Sequence, residues 1–112
     1  MKINLITEAE HAKLVDIYNN FPALTFQNDG YEYINKSKLN ENENKAMNEV
    51  IEILKKSIIG FSSFSNFRSH KKTGEIEIRI QYDWTAHDRS LGIPFTGAGY
   101  ILADELLNGF KN

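Results

Sequence analysis

The chain has 112 residues, 41% of them hydrophobic and 12% aromatic, and its 15 acidic and 13 basic residues leave a net charge of −2. This composition predicts one folded domain over residues 1–112 and excludes a globally disordered chain, because the apolar fraction is large enough for a packed core. Mild acidity disfavours nucleic acid as a partner, since duplex-binding domains carry a basic excess. The absence of cysteine excludes disulfides, thiolate catalysis and cysteine-based zinc sites.

The residue pattern of the N-terminal third of the chain predicts a strand followed by a helix. Residues 3–6 are apolar enough for a short strand. Thr7 and Glu10 then match a capping box, in which each residue satisfies a backbone donor of the other. Helical spacing follows and stops at Pro22, so we predict a helix over 8–20. Its apolar positions are Leu14, Val15, Tyr18 and Phe21.

Two further segments are predicted before the middle of the chain. Residues 24–39 suggest a hairpin, because Asp29-Gly30 lies between two apolar stretches and supplies the positive φ of a tight turn. A second helix is predicted over 41–58, capped by Asn40 with Glu43 and ended by Gly60. Its apolar stripe is Met47, Val50, Ile51, Leu54 and Ile58.

The clearest strand signal covers residues 76–84, where apolar and polar side chains alternate. The apolar set is Ile76, Ile78, Ile80, Tyr82 and Trp84, and the polar set is Glu75, Glu77, Arg79, Gln81 and Asp83. Residues 61–69 are expected to pair antiparallel with this strand through the turn 70–74. The phenylalanines at 61, 64 and 67 are three residues apart, so they can share one face only if the strand has a bulge or a bend.

The C-terminal part is predicted as an irregular stretch over 85–99, a short strand over 100–102 and a helix over 103–108 that ends before Gly109. The fold class is therefore α+β. We expect an antiparallel sheet with about two main helices packed on one face and a short C-terminal helix.

The predicted binding site is the loop that follows the long strand. It gathers acidic, aromatic, imidazole and guanidinium groups at the end of a rigid element, where binding residues concentrate. His87 can act as a general base if a neighbouring carboxylate orients its ring. The structural alternative is a solvated turn. The predicted binding residues are Asp83, Trp84, His87, Asp88 and Arg89.

Other candidate sites are weaker. The three histidines, His11, His70 and His87, show no metal-ligand spacing, and the Gly97-Ala98-Gly99 segment lacks the lysine of a phosphate-binding loop. We therefore predict no metal, no cofactor and no catalytic residue.

A compact basic cluster lies in the turn before the long strand and can contact phosphate or an acidic protein. A solvated turn, kept from aggregating by its charge, is the favoured interpretation. The cluster consists of Arg68, His70, Lys71 and Lys72.

Two classes of function remain open. The favoured one is a non-catalytic module that binds another protein, such as an intracellular inhibitor or immunity-type protein. The alternative is a small enzyme or ligand-binding domain that uses the loop 83–99 around a pocket. The N-terminal apolar stretch is too short for a secretory signal, and no segment approaches the ~20 apolar residues that cross a bilayer. We therefore expect a cytoplasmic protein that does not bind membranes, and homo-oligomerisation stays open.

Overall fold

A three-stranded antiparallel sheet and three α-helices form the described part of this computed structural model, which comprises residues 2–26, 34, 36–83 and 96–110. This arrangement confirms the predicted α+β class. In chain order the elements are α1 (Glu8–Asn20), α2 (Glu41–Ser57), β1 (Phe61–Ser69), β2 (Ile76–Asp83), β3 (Thr96–Leu102) and α3 (Ala103–Asn108).

Both long helices begin at the capping boxes that the sequence predicts. At the start of α1, Glu10 N donates to Thr7 Oγ1 at 3.1 Å, and Thr7 N donates to Glu10 Oε1 at 2.9 Å. At the start of α2, Glu43 N donates to Asn40 Oδ1 at 2.8 Å, and Asn40 N donates to Glu43 Oε1 at 2.9 Å. Each box satisfies donors that the first helical turn leaves without a partner. The predicted ranges 8–20 and 41–58 are confirmed to within one residue.

Among the residues that the structure describes, none of the helices has the length and apolar character of a membrane-spanning segment.

The sheet has the order β1-β2-β3, with β2 at its centre. Its first pair is antiparallel, as predicted, and its register shifts between Phe61 and Ser63 and again between Phe64 and Asn66. These shifts are the irregularity that the phenylalanine spacing requires. As a result Phe64 lies opposite Ile80, and Phe67 lies opposite Ile78.

The core lies between the sheet and the helices. Phe64, Phe67, Ile78 and Ile80 are each at most 1% exposed and pack with buried side chains of all three helices. The aromatic side chains meet edge to face, with ring centroids 5.1 Å apart for Phe64 and Phe67. The buried helical residues include Leu14, Ile17, Val50, Leu54 and Leu106.

The prediction of a first strand over 3–6 is wrong. Ile3 forms one antiparallel bridge with Ile58, and the chain then changes partner. Asn4 N donates to Ser57 O at 2.7 Å, whereas Ile6 N donates to Leu106 O at 2.9 Å. Because the backbone bonds go first to the end of α2 and then to α3, no continuous ladder forms.

Where the structure describes residues 24–39, it differs from the predicted hairpin. Leu24 ends a 3₁₀ turn, Pro22–Leu24, instead of opening a strand, and Thr25 makes a single parallel bridge to Phe67. Residues 27–33, including the proposed Asp29-Gly30 turn, lie outside the described residues.

The last strand begins earlier than predicted, at Thr96, so Gly97 and Gly99 lie in a strand and not in an irregular stretch. A Cβ added at Gly99 would lie 3.3 Å from Cε1 of Tyr82. The close approach of this ring explains a glycine at position 99.

Truncation of Ile78 tests the assignment of the core face. Ile78→Ala is expected to lower the free energy of unfolding by about 2–5 kcal/mol, because the side chain is fully buried and its loss leaves a cavity. The matched control is Ile59→Ala, which removes the same atoms from a side chain that is 39% exposed and should cost about 0.5 kcal/mol. Urea melts of both variants measure the difference. Equal losses would contradict the assignment.

The α1 capping box predicts a pH-dependent term in stability. The hydrogen bond from the Thr7 backbone lowers the pKa of Glu10 below its ordinary value; burial opposes this shift, and the Thr7 side chain and Lys56 add lesser lowering effects. A lowered folded-state pKa stabilises above the unfolded pKa, and the contribution is lost as the pH falls through the folded value. The advantage of the wild type over Glu10→Gln should therefore shrink between about pH 7 and pH 3. Melts across this range would contradict the prediction if the difference stayed constant.

Candidate functional site

The sheet has a second face, which points away from the core. Side chains alternate along a strand, so the burial of Ile78 and Ile80 turns Glu77, Arg79 and Gln81 to the other side. The register adds the residues opposite them on the two neighbouring strands. We call this surface the outer face, and it consists of Ser63, Asn66, Arg68, Glu77, Arg79, Gln81, Tyr100 and Leu102.

A depression of about 320 Å³ extends from the turn between β1 and β2 to the middle of the outer face. Four cationic side chains and one carboxylate line it, which gives a local excess of three positive charges on a chain whose net charge is −2. We call it the basic depression. Its charged residues are Arg68, Lys71, Lys72, Arg79 and Glu77, and His70, Ser69 and Tyr100 complete its lining.

Arg68 is held by an aromatic neighbour. Its guanidinium carbon lies 5.8 Å from the ring centroid of Phe26, within the range of a cation–π contact. Phe26 is itself fixed to β1, because its backbone N donates to Phe67 O at 2.8 Å. Contact with a ring that is itself bonded to β1 therefore restrains the position of this arginine.

His70 is oriented by the turn in which it lies. Its Nδ1 accepts hydrogen bonds from Lys72 N at 3.2 Å and from Thr73 N at 3.3 Å. Gly74 closes the turn with a φ of +73° and donates its N–H to His70 O at 2.9 Å. Because Nδ1 is an acceptor, the neutral imidazole carries its proton on Nε2. The turn therefore fixes the orientation of an imidazole that lines the basic depression.

The middle of the outer face contains two buried polar residues and one exposed aromatic residue. Glu77 is 7% exposed and lies between Arg68 and Leu102 in the register, so the polar set of β2 includes a buried carboxylate. Asn66 is 4% exposed, and its Oδ1 has no hydrogen-bond partner in the described part of the chain. Tyr100, opposite Arg79, is 56% exposed. In the register Arg79 lies between Asn66 and Tyr100, so a cationic side chain is at the middle of this face.

A larger groove, of about 730 Å³, runs along α1 and α2 but is less suited to binding an ion. Its charges nearly cancel, because two lysines and three glutamates leave an excess of one negative charge. One pair already contacts across it, with Lys13 Nζ 3.3 Å from Glu49 Oε2. Both side chains of that pair are in contact with solvent, with exposures of 47% and 39%, so the groove has the properties of an ordinary solvated helix surface.

Of the predicted binding residues, the structure describes Asp83 alone. It ends β2, pairs with Thr96 and donates its backbone N–H to Gly60 O at 2.7 Å. Trp84, His87, Asp88 and Arg89 lie outside the described residues, so the loop site stays a prediction.

The histidines do not converge on a metal site in the described ranges. His11 Nε2 lies 2.8 Å from Asp104 Oδ1 and joins α1 to α3, while His70 lies in the turn between β1 and β2. His87 lies outside the described residues. Within the ranges that the structure describes, no group of three His, Asp or Glu side chains could hold a metal ion.

Sequence reasoning found four members of the basic depression, Arg68, His70, Lys71 and Lys72, and missed Arg79 and Tyr100. The alternation along β2 already placed Arg79 on the polar face. Its proximity to Arg68 follows only from the two register shifts in β1, which the phenylalanine spacing indicates but does not locate. Tyr100 joins the site because β3 pairs with β2.

Comparisons of the chain with protein-family models, with curated protein sequences and with solved structures found no significant match. Its function is therefore inferred from the residues of the outer face.

Proposed function

We propose that the chain is a non-catalytic protein-binding module that contacts its partner through the outer face of the sheet, as an intracellular inhibitor or immunity-type protein would. The observation that carries the proposal is the pair of Tyr100 and Arg79, which are cross-strand neighbours at the centre of this face. Tyr100 exposes 56% of its surface. Tyrosine and arginine are among the residue types most enriched where interface energy concentrates.

The two faces of the sheet have different roles, and this difference supports the proposal. The inner face supplies the apolar burial that stabilises the fold, through Ile78, Ile80 and their neighbours. The outer face can therefore contribute side chains to a complex at little cost to stability. A rigid sheet also presents these side chains in a fixed arrangement, which limits the entropy lost on binding.

The enzyme alternative depends on residues that the structure does not describe. It requires the loop 83–99, of which residues 84–95 lie outside the described ranges. We keep protein binding as the proposed function and the cytoplasm as the expected compartment.

Alanine variants of the outer face test the proposal. The wild-type chain is used to capture partners from a lysate of its native host, and the identified partner is then titrated against purified variants. Tyr100→Ala and Arg79→Ala should each weaken binding at least about tenfold, a loss of about 1.4 kcal/mol, because each removes a central contact.

The matched control for the tyrosine is Phe110→Ala, since Phe110 is an exposed aromatic residue (45%) that follows α3 and does not belong to the outer face. Lys45→Ala, on α2, is the control for loss of a positive charge. Both controls should leave the affinity within about twofold, and thermal melts should show that all four variants fold. Unchanged affinity in folded Tyr100→Ala and Arg79→Ala would refute the proposal.

A further inference from the structure

We infer that the basic depression binds the carboxylates of an extended acidic segment of the partner, a run of Asp and Glu residues. This inference rests on the proposed function and specifies the chemistry that the partner presents. It starts from the local excess of three positive charges, which stands out on a chain whose net charge is −2.

The cations of the depression lie on three elements of the fold. Arg68 is on β1 and Arg79 on β2, whereas Lys71 and Lys72 lie in the turn between the two strands. A protein segment with several carboxylates can pair with them separately, because each of its acidic side chains carries its own charge.

Glu77 also favours separate monoanions over a compact dianion. Glu77 lines the depression together with the four cations and is 7% exposed. A phosphate dianion bound centrally would meet this like charge. Carboxylates distributed around it would instead each pair with a cation at the margin.

The donor geometry suits carboxylates as well. Arginine guanidinium groups bind carboxylates through two parallel hydrogen bonds, and Arg68 is held in place by its contact with Phe26. His70 also lines the depression, and the turn fixes the orientation of its ring. Preorganised donors of this kind reduce the entropy lost when a flexible acidic segment binds.

The test is a titration of the full chain with fluorescein-labelled hexaglutamate at low ionic strength. Hexaglutamine, of equal length without charge, and hexathymidylate, a single strand of similar charge, are the comparison probes. We expect hexaglutamate to bind most tightly and its affinity to fall as NaCl rises from about 0.05 to 0.5 M, because salt screens the interaction.

Two lysine pairs provide matched variants. Lys71→Gln with Lys72→Gln removes two charges from the basic depression, and Lys55→Gln with Lys56→Gln removes two adjacent charges from the end of α2. The first should weaken hexaglutamate binding at least about tenfold and the second by less than about twofold, because only the first pair lines the site. All four lysines are exposed, so both variants should fold.

Three results would overturn the inference: equal loss in both lysine variants, hexaglutamine binding as tightly as hexaglutamate, or tighter binding of hexathymidylate. Its failure is distinguishable from failure of the proposed function. If Tyr100→Ala still abolishes partner binding while hexaglutamate does not bind, the inference is wrong and the protein-binding proposal stands.

Discussion

The packing of Ile78 and Ile80 into the core is the constraint on which the rest of the structure depends. Ile78 lies opposite Phe67 on one side and Ile101 on the other, and all three side chains are fully buried. Side chains alternate along a strand, so burying these two isoleucines determines the face of the sheet to which each of the remaining residues of β2 points. The core and the outer face are therefore two results of a single register, and a slip by one residue would exchange them.

That register also assembles the basic depression. Phe64 and Phe67 are three residues apart, so they would point to opposite faces of a regular strand. The register shifts in β1 let both side chains enter the core. The same shifts place Arg68 opposite Glu77 and Asn66 opposite Arg79. Without them, either an aromatic side chain would leave the core or a charged one would enter it, and burial of an unpaired charge is costly. The irregularity of β1 thus serves both stability and the positive surface that we propose as a binding site.

Much of the fold is predictable because local rules and periodicity agree. Both capping boxes, the second helix and β2 follow from residues near one another in the chain. The errors arise where distant contacts decide. Residues 3–6 divide their hydrogen bonds between two helices, and Gly99 is explained by the ring of Tyr82 rather than by a turn. The burial of Glu77 and the approach of Arg79 to Arg68 depend on the pairing of strands, which composition does not reveal.

The register of β2 is tested most directly by NMR, through nuclear Overhauser effects between backbone protons of facing residues. Ile78 should contact Phe67 and Ile101, and Glu77 should contact Arg68. Directly opposite residues of an antiparallel sheet alternate between hydrogen-bonded pairs, whose amide protons lie close, and non-hydrogen-bonded pairs, whose α-protons lie close. Contacts of Ile78 with Arg68 or Leu102 in place of these would show a register displaced by one residue. That result would contradict both the assignment of the core and the composition of the outer face.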